Sequence, residues 1–156
     1  GALYFHLQPE NALLNDLNVD LISMYRVLAS DPEAIYKSVK DMSSDKETYY
    51  RVRSLDPKGM SDLERAARFI YLNRFCFNGI YRTNKSGDFN VPYGGEKSGA
   101  LPSLARFIEA ARLLRCVKLS SIDFDEFVRR NISKGDFVYL DPPYAVGNRR
   151  IFRQYD

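Results

Sequence analysis

Asp141-Pro142-Pro143-Tyr144 places a carboxylate, carbonyls and an aromatic ring within four residues, directly after the apolar run Phe137-Val138-Tyr139-Leu140. A run of that length and composition suits a buried strand of a parallel sheet. Neither proline has an N–H to give to a ladder, so the strand must stop there. In an open α/β sheet the loop just past a strand's carboxyl end is where ligands bind. Two further carboxylates have similar settings: Asp16 closes the short apolar segment 11–16, and Asp123 follows Cys116-Val117-Lys118-Leu119. An acidic residue thus ends or follows each of the three expected strands, and what binds there is left open. His6 is the only histidine, and Cys76 and Cys116 form no CxxC pair, so a His-rich metal site and a disulfide framework are both disfavoured.

The elements that must position these carboxylates can be read from patterning. The segment 2–7 is apolar apart from His6 and fits either a strand or the first turns of a helix. Segment 11–16 suits a buried strand. Asn18 can cap a helix carrying Leu21, Ile22, Tyr25 and Leu28 at helical spacing. Asp31-Pro32 restarts a helix, with Asp31 at the N-cap, Pro32 at the first helical position and Ile35, Tyr36 and Val39 inside. Residues 43–58 read as a polar connector with some helix. Ser61 and Glu64 form a capping box, and the helix they open carries Leu63, Ala66, Ala67, Ile70, Tyr71 and Phe75 toward a stop near Asn78-Gly79.

From Asn78 to Gly99, glycines alternate with aromatic and basic residues, and Lys85-Ser86-Gly87-Asp88 signals a hairpin turn. This reads as an exposed ribbon. A helix from Pro102 to about Arg115, a strand at 116–119, a short helix from Asp123 and the opening stretch complete the chain. Strands followed by helices argue for an α/β sheet interrupted by a helical insertion with a ribbon. The 156 residues, with a net charge of +3, are one ordinary globular domain that permits a nucleic-acid partner without demanding one. No apolar run approaches 18 residues and no signal peptide is visible, so the expectation is a cytoplasmic protein with no membrane partner.

Several blocks together resemble a known family. Asp141-Pro142-Pro143-Tyr144, Leu14-Asn15-Asp16-Leu17-Asn18, Tyr71-Leu72-Asn73-Arg74, Phe77-Asn78-Gly79-Ile80-Tyr81-Arg82 and Gly87-Asp88-Phe89-Asn90-Val91-Pro92-Tyr93-Gly94 occur in the order and spacing of Dam-type DNA adenine-N6 methyltransferases. The resemblance implies a partial Rossmann-like methyltransferase sheet over 1–42 and 101–156, with a helical and β-hairpin target-recognition insertion at 43–100. It implies S-adenosyl-L-methionine as cofactor, double-stranded DNA as partner and no metal. The oligomeric state is left open.

Residue by residue, the resemblance implies that Asp16 accepts from the cofactor's ribose hydroxyls. Asp123 accepts from its adenine amino group, with Ile122 and Phe124 against the ring. Asp141 and the Pro142 carbonyl, followed by Pro143, accept from the amino group of a flipped target adenine, on which Tyr144 stacks. Two acceptors on an exocyclic amine hold its nitrogen nearer a tetrahedral form and aim its lone pair, so orientation and electrostatics carry the catalysis. In the ribbon, Arg82 is the best base reader, since its fork matches guanine's two acceptors. Asn78 meets phosphate or a base edge, Phe77 wedges into the stack, Ile80 and Pro92 give apolar contact, and Arg74, Lys85 and Lys97 meet phosphate. A GATC-like target follows by analogy.

The plainer readings stand beside these. Asp16 and Asp123 also fit as helix caps, Phe77 and Ile80 as core of a helical subdomain, and Arg82 as a surface charge. The family's Phe-x-Gly-x-Gly loop, which binds the methionine end of the cofactor, is represented only by Gly1 and Ala2, and several family strands are not matched after Tyr144. The expectation is therefore a fragment. Two other functions use the same fold: methylation of an amino group in RNA or protein, and DNA binding without catalysis.

Overall fold

The computed structural model describes residues 1–95 and 98–141. The expected strand at 137–140 is not formed. The run joins no ladder, and Phe137 is 80% and Tyr139 63% exposed. The reason is that a strand requires a neighbour. The two strands that do form, β1 (Ala12–Asn15) and β2 (Val117–Ser120), pair with each other, and no third strand lies beside this run among the described residues. Local apolar composition cannot supply the missing ladder.

β1 and β2 run parallel, in a register that matches Ala12 with Val117 and Asn15 with Ser120. The open choice at the N-terminus resolves to a helix, α1 (Ala2–Leu7), whose buried Tyr4 donates its hydroxyl proton to the Leu113 carbonyl at 2.8 Å. Between the strands run α2 (Val19–Ser30), α3 (Pro32–Lys40), α4 (Lys46–Ser54), α5 (Asp62–Phe75) and α6 (Leu104–Leu114); α7 (Phe124–Asn131) follows β2.

The caps explain where these helices start. Asn18 accepts from the Leu21 amide and Asp31 from the Ala34 amide, each satisfying an N–H that the helix itself leaves free. Ser61 and Glu64 complete the reciprocal capping box expected of them. The stretch expected as a connector is more ordered than its polarity suggests. Asp45 caps α4 through the Thr48 amide, and the Ser43 hydroxyl and that amide hold its carboxyl down at about 2. The helix α5 stops at Phe75, three residues before the expected glycine signal, and a short 3-10 turn, Phe77–Gly79, follows.

One apolar cluster draws Met24 and Leu28 from α2, Ile35 and Val39 from α3, Tyr49 and Val52 from α4, Tyr71, Leu72 and Phe75 from α5, and Phe107 and Leu114 from α6. Each large side chain buried this fully stabilises the fold by about 1.5–3 kcal/mol. Tyr49 and Tyr71 are both fully buried, and each hydroxyl finds a carbonyl: Val91 at 2.9 Å and Ser43 at 2.6 Å. The ribbon expected to be exposed is half so. Phe89 and Val91 join the core cluster, while the tip from Asn84 to Asp88 faces water.

Candidate functional site

Asp16 and Asp123 lie on the two loops that leave β1 and β2 at the same end of the sheet, and several ties beyond the ladder hold those loops together. The Asp16 amide donates to the Ser120 carbonyl at 3.3 Å. The Asn15 side chain then bonds reciprocally to the next loop. Its Nδ2 donates to the Ile122 carbonyl at 2.9 Å, and its Oδ1 accepts from the Ile122 amide at 3.1 Å. The Ser121 hydroxyl donates to the Leu17 carbonyl at 3.4 Å. Parallel pairing explains the arrangement, because both strands deliver their carboxyl ends to one mouth.

Both carboxylates are exposed there; Asp123 is the N-cap of α7, whereas Asp16 is not a cap, because Asn18 holds that position on α2. Oδ1 of Asp16 accepts from the Asn18 amide at 2.8 Å, and Oδ1 of Asp123 accepts from the Asp125 amide at 2.9 Å. Each carboxylate is thus oriented through one oxygen by a nearby backbone amide. Ile122 is half-buried between the loops, and Phe124 stands 60% exposed beside Asp123.

Gly1 belongs to the same end of the molecule. A Cβ there would fall 2.5 Å from the Tyr25 hydroxyl oxygen and 3.1 Å from Phe5 Cε2, so a larger residue would have to displace these aromatic side chains. Burial pushes the Tyr25 phenol up, and the negative charge of Asp16 adds to that shift. Tyr25 thus adjoins Gly1 and feels the charge of Asp16. Asp141 ends the extended run as an exposed residue and makes no hydrogen bond among the described residues. Pro142, Pro143 and Tyr144 lie outside the described residues.

The second group of residues sits where α5 gives way to the ribbon. Phe77 is 48% and Ile80 44% exposed, so neither is core. Asn78 between them is exposed and takes a left-handed backbone (φ 54°), a conformation that asparagine tolerates better than most residues. The turn is fastened from the far strand of the ribbon: the Phe77 amide donates to the Pro92 carbonyl at 2.9 Å, and the Gly94 amide to the Phe75 carbonyl at 2.8 Å. Val91, just before those points, is gripped through its carbonyl by the Tyr49 hydroxyl at 2.9 Å and Arg53 Nη1 at 3.1 Å.

Arg82 is half-buried on the near strand. Its Nε donates to Asn90 Oδ1 at 2.8 Å, and the Asn90 amide donates to the Arg82 carbonyl at 3.1 Å. That brace fixes the guanidinium by its inner edge. Lys85 is exposed at the tip and Pro92 is exposed on the far strand, and Lys97 lies outside the described residues. Arg74 is half-buried, and its Nε has no hydrogen-bond partner among the described residues. Tyr81 packs among Phe69 and Phe89, and its phenol is raised by burial and then by the charge of Asp20. It links the ribbon to the start of α2.

Sequence reading missed Asn15 and Asn90, whose roles depend on partners in other segments. The only available signal was a short amide at the end of an apolar run in one case and opposite an arginine across a hairpin in the other.

A parallel sheet with acceptor-bearing loops at one mouth, beside a helical layer and an aromatic, basic ribbon, defines a mixed α/β protein of the class that takes ligands at strand carboxyl ends. The family follows from comparison. The chain belongs to the D12 class N6 adenine-specific DNA methyltransferases, which match residues 1–155. It is 40% identical over 152 residues to the type II methyltransferase M1.LlaDCHI of Lactococcus lactis, covering 92% of this chain and 53% of that protein. It is 34% identical over 165 residues to M.MjaIII of Methanocaldococcus jannaschii, covering 96% and 57%, and 30% identical over 154 residues to the DNA adenine methylase of Escherichia coli K12, covering 93% and 53%. The chain thus spans about half the length of these relatives. The family implies a methyl donor and a DNA substrate. Among the described residues no helix is long and apolar enough to cross a membrane.

Proposed function

We propose that the protein transfers a methyl group from S-adenosyl-L-methionine to the N6 of an adenine flipped out of duplex DNA. The observation that carries the reading is the laced mouth of the sheet, which sets Asp16 and Asp123 on adjoining loops in a chain of this family. The residues fit the cofactor. Asp16 keeps a carboxylate oxygen beyond the one that accepts from the Asn18 amide, so it can accept from ribose hydroxyls. Asp123 can accept from an adenine amino group, with Ile122 and the exposed Phe124 ring to cover the base. Gly1, held tight against Tyr25, is the near end of the loop for the methionine portion. When bound, the cofactor supplies an electrophilic methyl group on a sulfonium.

The chain's own residues orient and polarise the nucleophile. An exocyclic amine is weak because its lone pair is delocalised into the ring. Asp141 and the Pro142 carbonyl accept its two hydrogens and so restore density on nitrogen, while Pro143 stiffens the loop and Tyr144 stacks on the base. Segments 1–42 and 101–156 form the cofactor part and 43–100 the recognition part. In the latter, Arg82 reads a guanine with the guanidinium nitrogens that Asn90 leaves free. Phe77 and Ile80 offer apolar surface to the bases, and Asn78, Arg74, Lys85 and Pro92 line the DNA path. A GATC-like site follows from the same assignment.

The test uses the full-length protein with methyl-labelled cofactor and equal amounts of duplex DNA, RNA and unrelated protein. Label recovered as N6-methyladenine from the duplex alone is the expected result. Label in RNA or protein but not in DNA would overturn the substrate assignment.

A further inference from the structure

We infer that Asn15 is a positioning residue for the nucleoside part of the cofactor, an inference that rests on the function proposed above. Asn15 is the last residue of β1, and its backbone partner in the register is Ser120, the last residue of β2. The last backbone bond between the two segments is that of the Asp16 amide to the Ser120 carbonyl; past it, Asp16 accepts from the Asn18 amide and Asp123 caps α7. The Asn15 carboxamide fills the place of the next rung. One face donates to the Ile122 carbonyl and the other accepts from the Ile122 amide, at 2.9 and 3.1 Å. It thereby satisfies both backbone groups of Ile122, a residue 107 positions away in the chain and immediately before Asp123.

The geometry has a functional consequence. Asp16 follows Asn15 and Asp123 follows Ile122, so this pair of bonds fixes the spacing between the two carboxylates that would grip the ribose and the adenine. A carboxamide is the only neutral side-chain group of this length that both donates and accepts in a planar, peptide-like way. Aspartate in its place keeps the acceptor for the Ile122 amide but sets a carboxylate oxygen against the Ile122 carbonyl. Alanine removes both bonds. In neither case is a group that would touch cofactor removed, so the effect travels through Ile122 and Asp123.

The experiment measures S-adenosylhomocysteine binding by calorimetry, and steady-state kinetics, on the full-length protein and its Asn15→Ala variant. Loss of two neutral hydrogen bonds that position the site predicts roughly ten-fold weaker binding. The same variant should show a correspondingly higher KM for S-adenosylmethionine, with kcat and the KM for DNA close to wild type. A merely structural role would instead lower the active fraction, reducing kcat with no selective change in the cofactor KM. Wild-type cofactor affinity in a folded Asn15→Ala protein overturns the inference and leaves the proposed function intact. Failure of the unsubstituted protein to bind S-adenosylhomocysteine overturns the proposed function instead. Should Asn15→Ala not fold, the near-isosteric Asn15→Asp must show the same selective weakening, and wild-type affinity there is equally decisive against the inference.

Discussion

Gly94→Ala tests how the recognition ribbon is held. Gly94 lies where the ribbon's far strand returns to the end of α5. A Cβ added there would fall 2.6 Å from the Cys76 carbonyl oxygen, 3.0 Å from its carbonyl carbon and 3.2 Å from the Phe75 carbonyl oxygen. All three atoms are backbone, so no side chain can swing away to make room. The strand must lift, and the bond from the Gly94 amide to the Phe75 carbonyl, 2.8 Å long, lifts with it. One lost hydrogen bond costs about 1 kcal/mol and overpacking of this kind about 1–3 kcal/mol. The expected loss is therefore about 2–4 kcal/mol, or roughly 4–16 °C in Tm for a protein of this size. Because the Phe77 turn is tied to the same segment through Pro92, DNA affinity should fall as well, while S-adenosylhomocysteine binding, at residues the added Cβ does not touch, should not. Differential scanning calorimetry gives the first quantity, and fluorescence anisotropy with a labelled duplex and calorimetry give the others. Gly59→Ala is the control, with nothing within 4 Å of its added Cβ, and should leave all three unchanged. A Gly94→Ala protein with wild-type Tm and DNA affinity would refute the reasoning.

Further predictions concern the ribbon and the core. Arg82→Ala should relax discrimination at one base pair by roughly 1–3 kcal/mol, seen by comparing duplexes substituted at each position; uniform weakening across all of them would make Arg82 a phosphate contact. Alkaline stability should decline over a defined window. Burial pushes the Tyr71 phenol up to about 12 and raises that of Tyr49 as well, from an ordinary value of 10.0. A phenol that ionises later in the folded than in the unfolded state contributes fully below pH 10, and that contribution is lost as pH rises toward 12. Denaturant midpoints measured from pH 8 to 12 should be flat to about 10 and then fall, and the fall should begin at the same pH but be shallower in Tyr71→Phe.

How much of this was legible in the sequence depended on distance along the chain. Asn18, Asp31 and the Ser61–Glu64 box are caps whose partners lie three residues away, and each forms where local chemistry places it. Asp45 is the same device, overlooked because its polar neighbours resemble a connector. The strand expected at 137–140 shows the opposite case, since its composition is right but pairing depends on a neighbour that composition cannot supply. The carboxylates Asp16 and Asp123 were visible because acidic residues after apolar runs are a simple pattern. What joins them, the Asn15 carboxamide on Ile122, was invisible because the two are 107 positions apart. The brace of Arg82 by Asn90 lies across a hairpin and was hidden for the same reason.

The claim that Asp141 polarises the target amine is tested most directly by Asp141→Ala in the full-length protein, with methyl transfer and duplex binding measured on the same preparation. Asp141 is exposed and makes no hydrogen bond within the described fold, so its removal should cost little stability. The account predicts that transfer to DNA is abolished while duplex affinity stays within a few-fold of wild type. Transfer at a rate near wild type, or loss of DNA binding equal to the loss of transfer, would contradict it.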